Sequence, residues 1–276
     1  MKAPSFIGRL FARTKGQVHE DPSPSELAAL VDQLRQAEAQ AQCSREEAAQ
    51  ALRLRSGFFS GASHDLRQRL HAIKLMAFTT LADVSPGDRS FVPLRRLANE
   101  IEALEKYAMD ILGFARAEAG GLVIRPSRVQ LHSIFHNADV NFDRSVTERH
   151  LALNFRHTTL AINTDAGLLQ RIVENLVSNA LKYTKQRVLV AARKSRDEVV
   201  IEVWDEGPGI AAIDQERIFR PFAQLDNNDH DPKRGAGLGL ALVDAFCKAL
   251  GYRISLKSCV GKGTVFRVHI PASAAV

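Results

Sequence analysis

Five short stretches carry residue types whose spacing could do chemistry. In "SGASHDLRQRLHAIKL" (residues 60–75), His64 and Asp65 stand side by side, off the helical stripe formed by Ala62, Leu66, Leu70, Ile73 and Ala77. Both should therefore face water. A neutral imidazole is a good nucleophile near neutral pH, and an adjacent carboxylate can fix its tautomer. In "ENLVSNALKYT" (174–184), Asn175 and Asn179 are four residues apart on a helix, with Lys182 in the next turn. Their amides then point the same way, and amide oxygens suit a hard cation such as Mg²⁺ held between protein and phosphates. "DEGPGI" (205–210) follows an apolar strand and sets Asp205 before two spaced glycines. A flat ring can approach such a backbone closely, and Asp205 could accept a hydrogen bond from an exocyclic amine. "IFRPFAQL" (218–225) leads into the polar run "DNNDHDPKR", expected to be a mobile loop. "GAGLGLALV" (235–243) opens a helix with Gly235, Gly237 and Gly239, and a glycine-rich helix start can hold an anion.

Each stretch alone has an ordinary reading: a solvated helix face, a tight turn, a polar linker. What must position them is legible in the apolar pattern. Leu27, Leu30, Leu34, Ala37, Ala41, Ser44, Ala48 and Ala51 follow a 3-4 spacing whose small residues predict a weak coiled coil. The seam resumes, shifted by one position, at Ser63, Leu66, Leu70, Ile73, Ala77 and Thr80. After the turn "DVSPGDR" (83–89), a second helix carries Leu94, Leu97, Ile101, Leu104, Ala108, Ile111 and Ala115. The two helices make an antiparallel hairpin that cannot cover its own stripe, so pairing with a second copy into a four-helix bundle is expected. Gly120 and Gly121 end the second helix as a hinge. Beyond them "LVIRPSRVQL", "LALNF", "VLVAAR", "VVIEVWD" and "TVFRVHI" read as strands, alternating with helices at 165–184 and 238–250. The second domain is thus an α/β layer structure starting near residue 122.

Composition excludes several classes. The 276 residues, 45% hydrophobic and 25% charged, suit two modest globular domains. Three cysteines without a CxxC pair argue against a disulfide framework or a zinc site and fit a reducing cytoplasm. No apolar run reaches membrane-span length, and no signal-peptide core is present. The net charge of +6 comes without a basic, aromatic-interleaved patch, so nucleic acid is not expected. Residues 1–16 are basic and acid-free, with Phe6, Ile7, Leu10 and Phe11 able to share a face. A flexible tail is the preferred reading, with membrane-surface contact the alternative.

In order and spacing, the four segments after residue 122 resemble the N, G1, F and G2 boxes of the ATP-binding (Bergerat-type) domain shared by histidine kinases, type II topoisomerases, a heat-shock chaperone and mismatch-repair ATPases. "GKGTVFRVHIP" resembles that family's closing strand, and "SHDLRQRLHAIKL" resembles the phosphoacceptor box of sensor histidine kinases. The resemblance covers residues 56–271. It implies an α + α/β fold, a dimeric four-helix bundle followed by an α/β sandwich. The expected segments are 1–24 (basic, flexible), 25–57 (coiled-coil signalling helix), 58–121 (dimerisation and phosphotransfer) and 122–276 (catalytic, ATP-binding). It further implies that ATP phosphorylates His64, with Asp65 as orienter and base, and that the phosphoryl group passes to a response-regulator receiver domain. Gln68 is placed by resemblance to position the water that dephosphorylates that partner.

For the cofactors, ATP and Mg²⁺, the resemblance implies Asn179 as main metal ligand and Asn175 as a support through water. Lys182 and Arg234 would steady the phosphates, Tyr183 would flank the nucleotide and Asp205 would read adenine. Gly207, Gly209, Ile210, Phe222, Gly235, Gly237, Leu238, Gly239 and Thr264 complete the implied nucleotide site. His71 falls on the face of His64 and reads as partner-docking surface. One departure stands out: the box most resembles the histidine kinase subgroup reading His-Asp-Leu-Arg-Gln-Pro-Leu-His, and Arg69 occupies the position of its proline. No sensor or receiver domain is recognisable, so the signal is expected through the coiled coil, from a separate sensor protein, or from a region outside this chain. Two other classes compete. One is an ATP-sensing phosphotransfer or regulator-binding module without kinase activity, which decayed ATP boxes would favour. The other is a topoisomerase-type ATPase, which would lack the acceptor histidine.

Overall fold

The computed structural model describes residues 40, 42, 65–85, 87–184, 186–225, 237–271 and 274. Contacts divide the chain into two compact units, 1–51 and 52–276. Of the first, only Gln40 and Gln42 are described, both helical. Apart from these two residues the predicted coiled coil lies outside the described residues, as do the basic N-terminal segment, His64, Arg234, Gly235 and the predicted loop "DNNDHDPKR".

The second unit opens with the predicted hairpin. Helix α1 (65–82) and helix α2 (Phe91–Glu118) are joined across a turn, and Lys74 bridges them to Glu102 and Glu105 at 3.1 and 3.3 Å. Heptad positions divide into two sets. Leu70 and Ala77 are buried within the hairpin, as is Ala98 outside the seam, whereas Leu66, Ile73, Leu97, Leu104 and Ile111 stay exposed, Leu97 at 52% and Leu104 at 53%. An apolar seam repeating every seven residues on the outside of a hairpin lacks its covering surface. Helix α2 stops as the paired glycines predict. Gly120 adopts φ +62°, and the Gly121 N–H turns back to the Arg116 carbonyl at 2.9 Å.

After the hairpin come β1 (Ser127–Gln130), helix α3 (Leu131–Arg149), β2 (Ala152–Phe155), β3 (Ala161–Thr164), helix α4 (Ala166–Tyr183), β4 (Arg187–Ser195), β5 (Glu198–Asp205), helix α5 (Gly239–Leu250), β6 (Arg253–Cys259) and β7 (Gly263–Pro271). Five strands form one mixed sheet in the order β2-β4-β5-β7-β6, in which only β2 and β4 run parallel. Strands β1 and β3 make a separate antiparallel pair. Helices α3, α4 and α5 cover one sheet face. Ile172, Leu176, Leu242 and Phe246 pack there on Val188, Val190, Ile201, Val203, Phe266 and Val268. The α/β sandwich is the expected class.

Three details differ from the sequence reading. The strand expected over residues 122–131 is only Ser127–Gln130, because Leu131 instead opens helix α3. That helix was not foreseen: its N-cap, Gln130, supplies no capping side chain, and its buried stripe of Leu131, Ile134, Phe135 and Ala138 is embedded in histidines and asparagine. Strands β3 and β6 were also missed. One has four residues, and the other is an edge strand written with serines, arginine and lysine.

Candidate functional site

Helix α4 divides cleanly by face. Leu169, Ile172, Val173, Leu176, Val177 and Ala180 are in the core, which leaves Arg171, Asn175, Asn179 and Lys182 on the opposite side. Asp165 holds the start of the helix, accepting the Leu168 N–H at 3.0 Å through one oxygen and the Arg125 N–H at 2.9 Å through the other. Asn175 donates its amide to the Arg171 carbonyl at 2.8 Å. That bond turns Oδ1 toward helix α5, 3.1 Å from where a Cβ on Gly239 would sit. The N-terminus of α5 and Asn175 are thereby brought together. At the other end of α4 the Lys182 ammonium lies 4.8 Å from the centre of the half-exposed Tyr183 ring.

Asp205 ends β5. Its Oδ1 accepts the Gly207 N–H at 2.8 Å. A second backbone N–H comes from Thr264, its neighbour across the β5–β7 ladder. Burial pushes this carboxyl above the usual aspartate range, and the two N–H donors pull it partly back. The glycines around it are required by space. A side chain on Gly207 would strike Asp205 Oδ1 and the Tyr183 carbonyl. One on Gly209 (φ +73°) would strike the Cys259 carbonyl. Only glycine lets the backbone pack this closely around the carboxylate.

Sequence reasoning missed Ser258, which ties this surface together. Its Oγ accepts the Ile210 N–H at 2.8 Å, donates to the Gly263 carbonyl at 3.0 Å and shares a 2.8 Å bond with Thr264 Oγ1. Gln215 clasps the same corner through the Ile210 and Ser258 carbonyls at 3.1 and 3.3 Å. Neither residue lies in a motif with visible spacing. The available signal was only the serine three residues before "GKG".

Phe222 and Gly237 meet on the far side. Both have positive φ, +62° and +71°, and the Phe222 N–H donates to the Gly237 carbonyl at 3.1 Å. Leu238 is buried beside them and occupies the N-cap position of α5. On the hairpin, Asp65, Gln68, Arg69 and His71 are all exposed on α1. No helix among the described residues is long and apolar enough to cross a membrane.

The donor set fits the implied groups. Two amide side chains on one helix face suit a hydrated hard cation. The glycine-containing backbone beside a half-buried carboxylate suits an adenine ring, and the α5 N-terminus suits phosphate.

Comparisons with known proteins agree. Residues 164–274 match the family described as histidine kinase-, DNA gyrase B-, and HSP90-like ATPase. The chain contains a sensor histidine kinase catalytic core. The sensor protein GacS of Pseudomonas syringae pv. syringae is 30% identical over 82% of this chain and 26% of its own length. The sensor protein KdpD of Mycobacterium tuberculosis is 32% identical over 90% of this chain and 29% of its own. The chain thus spans under a third of the curated relatives named here. Among solved structures, full-length ShkA in complex with AMPPNP superposes with a TM-score of 0.65 at 26% identity, over 79% of this chain and 46% of that one. The histidine kinase AdeS of Acinetobacter baumannii shares the fold, with a TM-score of 0.56 at 22% identity, over 76% of this chain and 98% of that one.

Proposed function

We propose that this chain is an ATP-dependent protein-histidine kinase that phosphorylates its own His64 and passes the phosphoryl group to an aspartate of a response-regulator receiver domain. The observation that carries the reading is the half-buried Asp205 carboxylate, held by two backbone N–H groups beside two tightly packed glycines. It lies in the same compact unit as an exposed helix whose first described residue follows His64. In the reaction the His64 imidazole attacks the γ-phosphorus. An N–P bond forms while the bond to the ADP oxygen breaks, ADP leaves with that electron pair, and Asp65 takes the remaining ring proton.

Asp205 accepts the exocyclic amine of adenine, with Gly207, Gly209, Ile210 and Thr264 shaping the base site. Tyr183 flanks the nucleotide. Phe222, Gly235, Gly237, Leu238 and Gly239 frame the phosphates, and Lys182 and Arg234 steady them. Asn179 and, through water, Asn175 hold Mg²⁺, which when bound neutralises charge between the phosphates. Gln68 serves dephosphorylation of the regulator, and His71 belongs to its docking surface. The exposed Leu97, Leu104 and Ile111 seam supports a homodimeric bundle. A cytoplasmic location, the domain limits 1–24, 25–57, 58–121 and 122–276, a separate sensor protein and membrane contact through residues 1–16 belong to the same proposal.

The test is incubation with γ-labelled ATP followed by a panel of purified receiver domains. Acid-labile label that moves rapidly to one receiver supports the reading. Nucleotide binding without labelling would favour the ATP-sensing module instead.

A further inference from the structure

Arg171 belongs to none of the residues assigned to the nucleotide, yet it joins the hairpin to the ATP-binding domain. It projects from the polar side of α4, and its guanidinium lies over the Phe246 ring of α5, 4.9 Å from the centre. The same group reaches α2, with Nη2 at 3.4 Å from the Asp110 carboxylate and 3.5 Å from the Met109 carbonyl. Asp110 is 16% exposed and Arg171 36%, so the pair is shielded better than a surface ion pair. Burial raises the Asp110 carboxyl above its ordinary range, against the pull of Arg171 and Lys106.

Gly113 explains how the guanidinium fits. It is buried in the interior of α2, where glycine costs about 0.5–1 kcal/mol relative to alanine. A Cβ there would meet the two terminal Arg171 nitrogens at 3.0 and 3.2 Å. The missing side chain is the space the guanidinium occupies.

Arg171 is also wired to the nucleotide side. Its carbonyl receives the Asn175 amide, and Asn175 Oδ1 faces the start of α5 at Gly239. A cavity of about 570 Å³ opens beside the contact. Its hairpin wall includes Arg67, Lys106 and Asp110, and its α4 wall Arg171, Glu174 and Asn175. Arg67 is three residues beyond His64, so the cavity spans from the proposed metal-supporting asparagine to the turn after the acceptor.

We propose that Arg171 is a docking latch, a positioning residue that seats the ATP-binding domain on the hairpin with the Asn175 turn facing the helix of His64. The role in phosphotransfer rests on the kinase reading above. The docking contact itself does not. Releasing the latch leaves the adenine site, built from other residues, unchanged, and removes the alignment of phosphate donor and acceptor. Misplacement by an ångström costs on the order of 100-fold in rate.

Two variants on different elements test it in the full chain. Arg171→Met removes the guanidinium. Gly113→Leu fills its space from the hairpin side, with a residue that favours the helix more than glycine does. Autophosphorylation kcat, KM for ATP, affinity for a fluorescent ATP analogue and hydrogen–deuterium exchange over residues 105–115 and 168–176 are measured for each. The expected result is a fall in kcat of about ten-fold or more in both variants. KM and nucleotide affinity should stay within about two-fold, with faster exchange on both sides of the contact. Unchanged kcat in either variant, or loss of nucleotide affinity in step with kcat, overturns the proposal. If the unmodified chain takes up no label, the kinase reading fails and exchange alone decides. Faster exchange on both sides in both variants upholds the docking latch, and unchanged exchange overturns it.

Discussion

Ser258→Ala removes one oxygen from a corner that no motif marked. The hydroxyl accepts the Ile210 N–H and has one proton to give, to the Gly263 carbonyl or to Thr264 Oγ1. Thr264 is buried and Ile210 half-buried, so water replaces these bonds incompletely. A buried polar group left without a partner costs about 1–3 kcal/mol. With one donor stranded and one acceptor partly relieved, the expected loss is about 1–2 kcal/mol of stability. In a domain of this size that lowers Tm by about 2–8 °C. Ile210 and Thr264 flank Asp205, so the base site should loosen too, with ATP Kd rising about 5- to 30-fold. The control is Ser255→Ala on the same strand, whose Oγ bonds His269 at 2.8 Å. Three residues apart, the two serines point to opposite sheet faces, so Ser255→Ala should lower Tm and leave ATP Kd alone. Calorimetric titration with ATP and thermal unfolding of both variants decide the matter. Equal ATP affinity in the two variants would refute the claim that Ser258 organises the base site.

Asp205→Asn replaces an acceptor by a group that must present a donor to one of its N–H neighbours or to adenine, so ATP affinity should fall at least ten-fold. An affinity within about two-fold of the unmodified chain would move the base-reading acid elsewhere. Glu202 offers a pH prediction. Burial pushes its carboxyl up, but hydrogen bonds from Arg267 at 2.8 Å and Arg193 at 3.4 Å outweigh that and hold it below the ordinary 4.5. Its contribution is therefore complete above that value and is lost as pH falls through the lowered one. The Tm deficit of Glu202→Gln should shrink between pH 6 and pH 3, and a deficit constant across that range would contradict it. Arg69→Pro should bend α1 just below His64 by unpairing the Asp65 carbonyl and change the ratio of kinase to phosphatase activity. A change in neither rate beyond about two-fold, worth only about 0.4 kcal/mol, makes the bend irrelevant.

What the sequence made legible follows from where the information is local. The α4 and α5 helices announce themselves by an apolar stripe with a capping aspartate or a glycine start, and β5 and β7 by β-branched runs. The hairpin is legible because heptads are periodic over many turns, and Gly120 because only a left-handed residue ends such a helix there. Helix α3 was not, since its few apolar positions find their partners on α4 and β2 and gain meaning only in the packed state. Within the site, the Asp205–Gly207 pairing could be read from adjacent residues. Ser258 and Gln215 could not, because each has a partner across the sequence, 48 residues away in one case and 43 in the other. Arg171 and Gly113 are likewise silent alone. A guanidinium and an absent side chain 58 residues apart become one feature only after α2 and α4 are brought together.

The central claim is that His64 receives the phosphoryl group of ATP bound at Asp205, and His64→Gln tests it most directly. Labelling with γ-labelled ATP and acid-lability of the product are followed alongside nucleotide affinity. Acid-labile label should vanish in His64→Gln while ATP affinity stays within about two-fold, a change worth only about 0.4 kcal/mol. Acid-labile label persisting in that variant would contradict it.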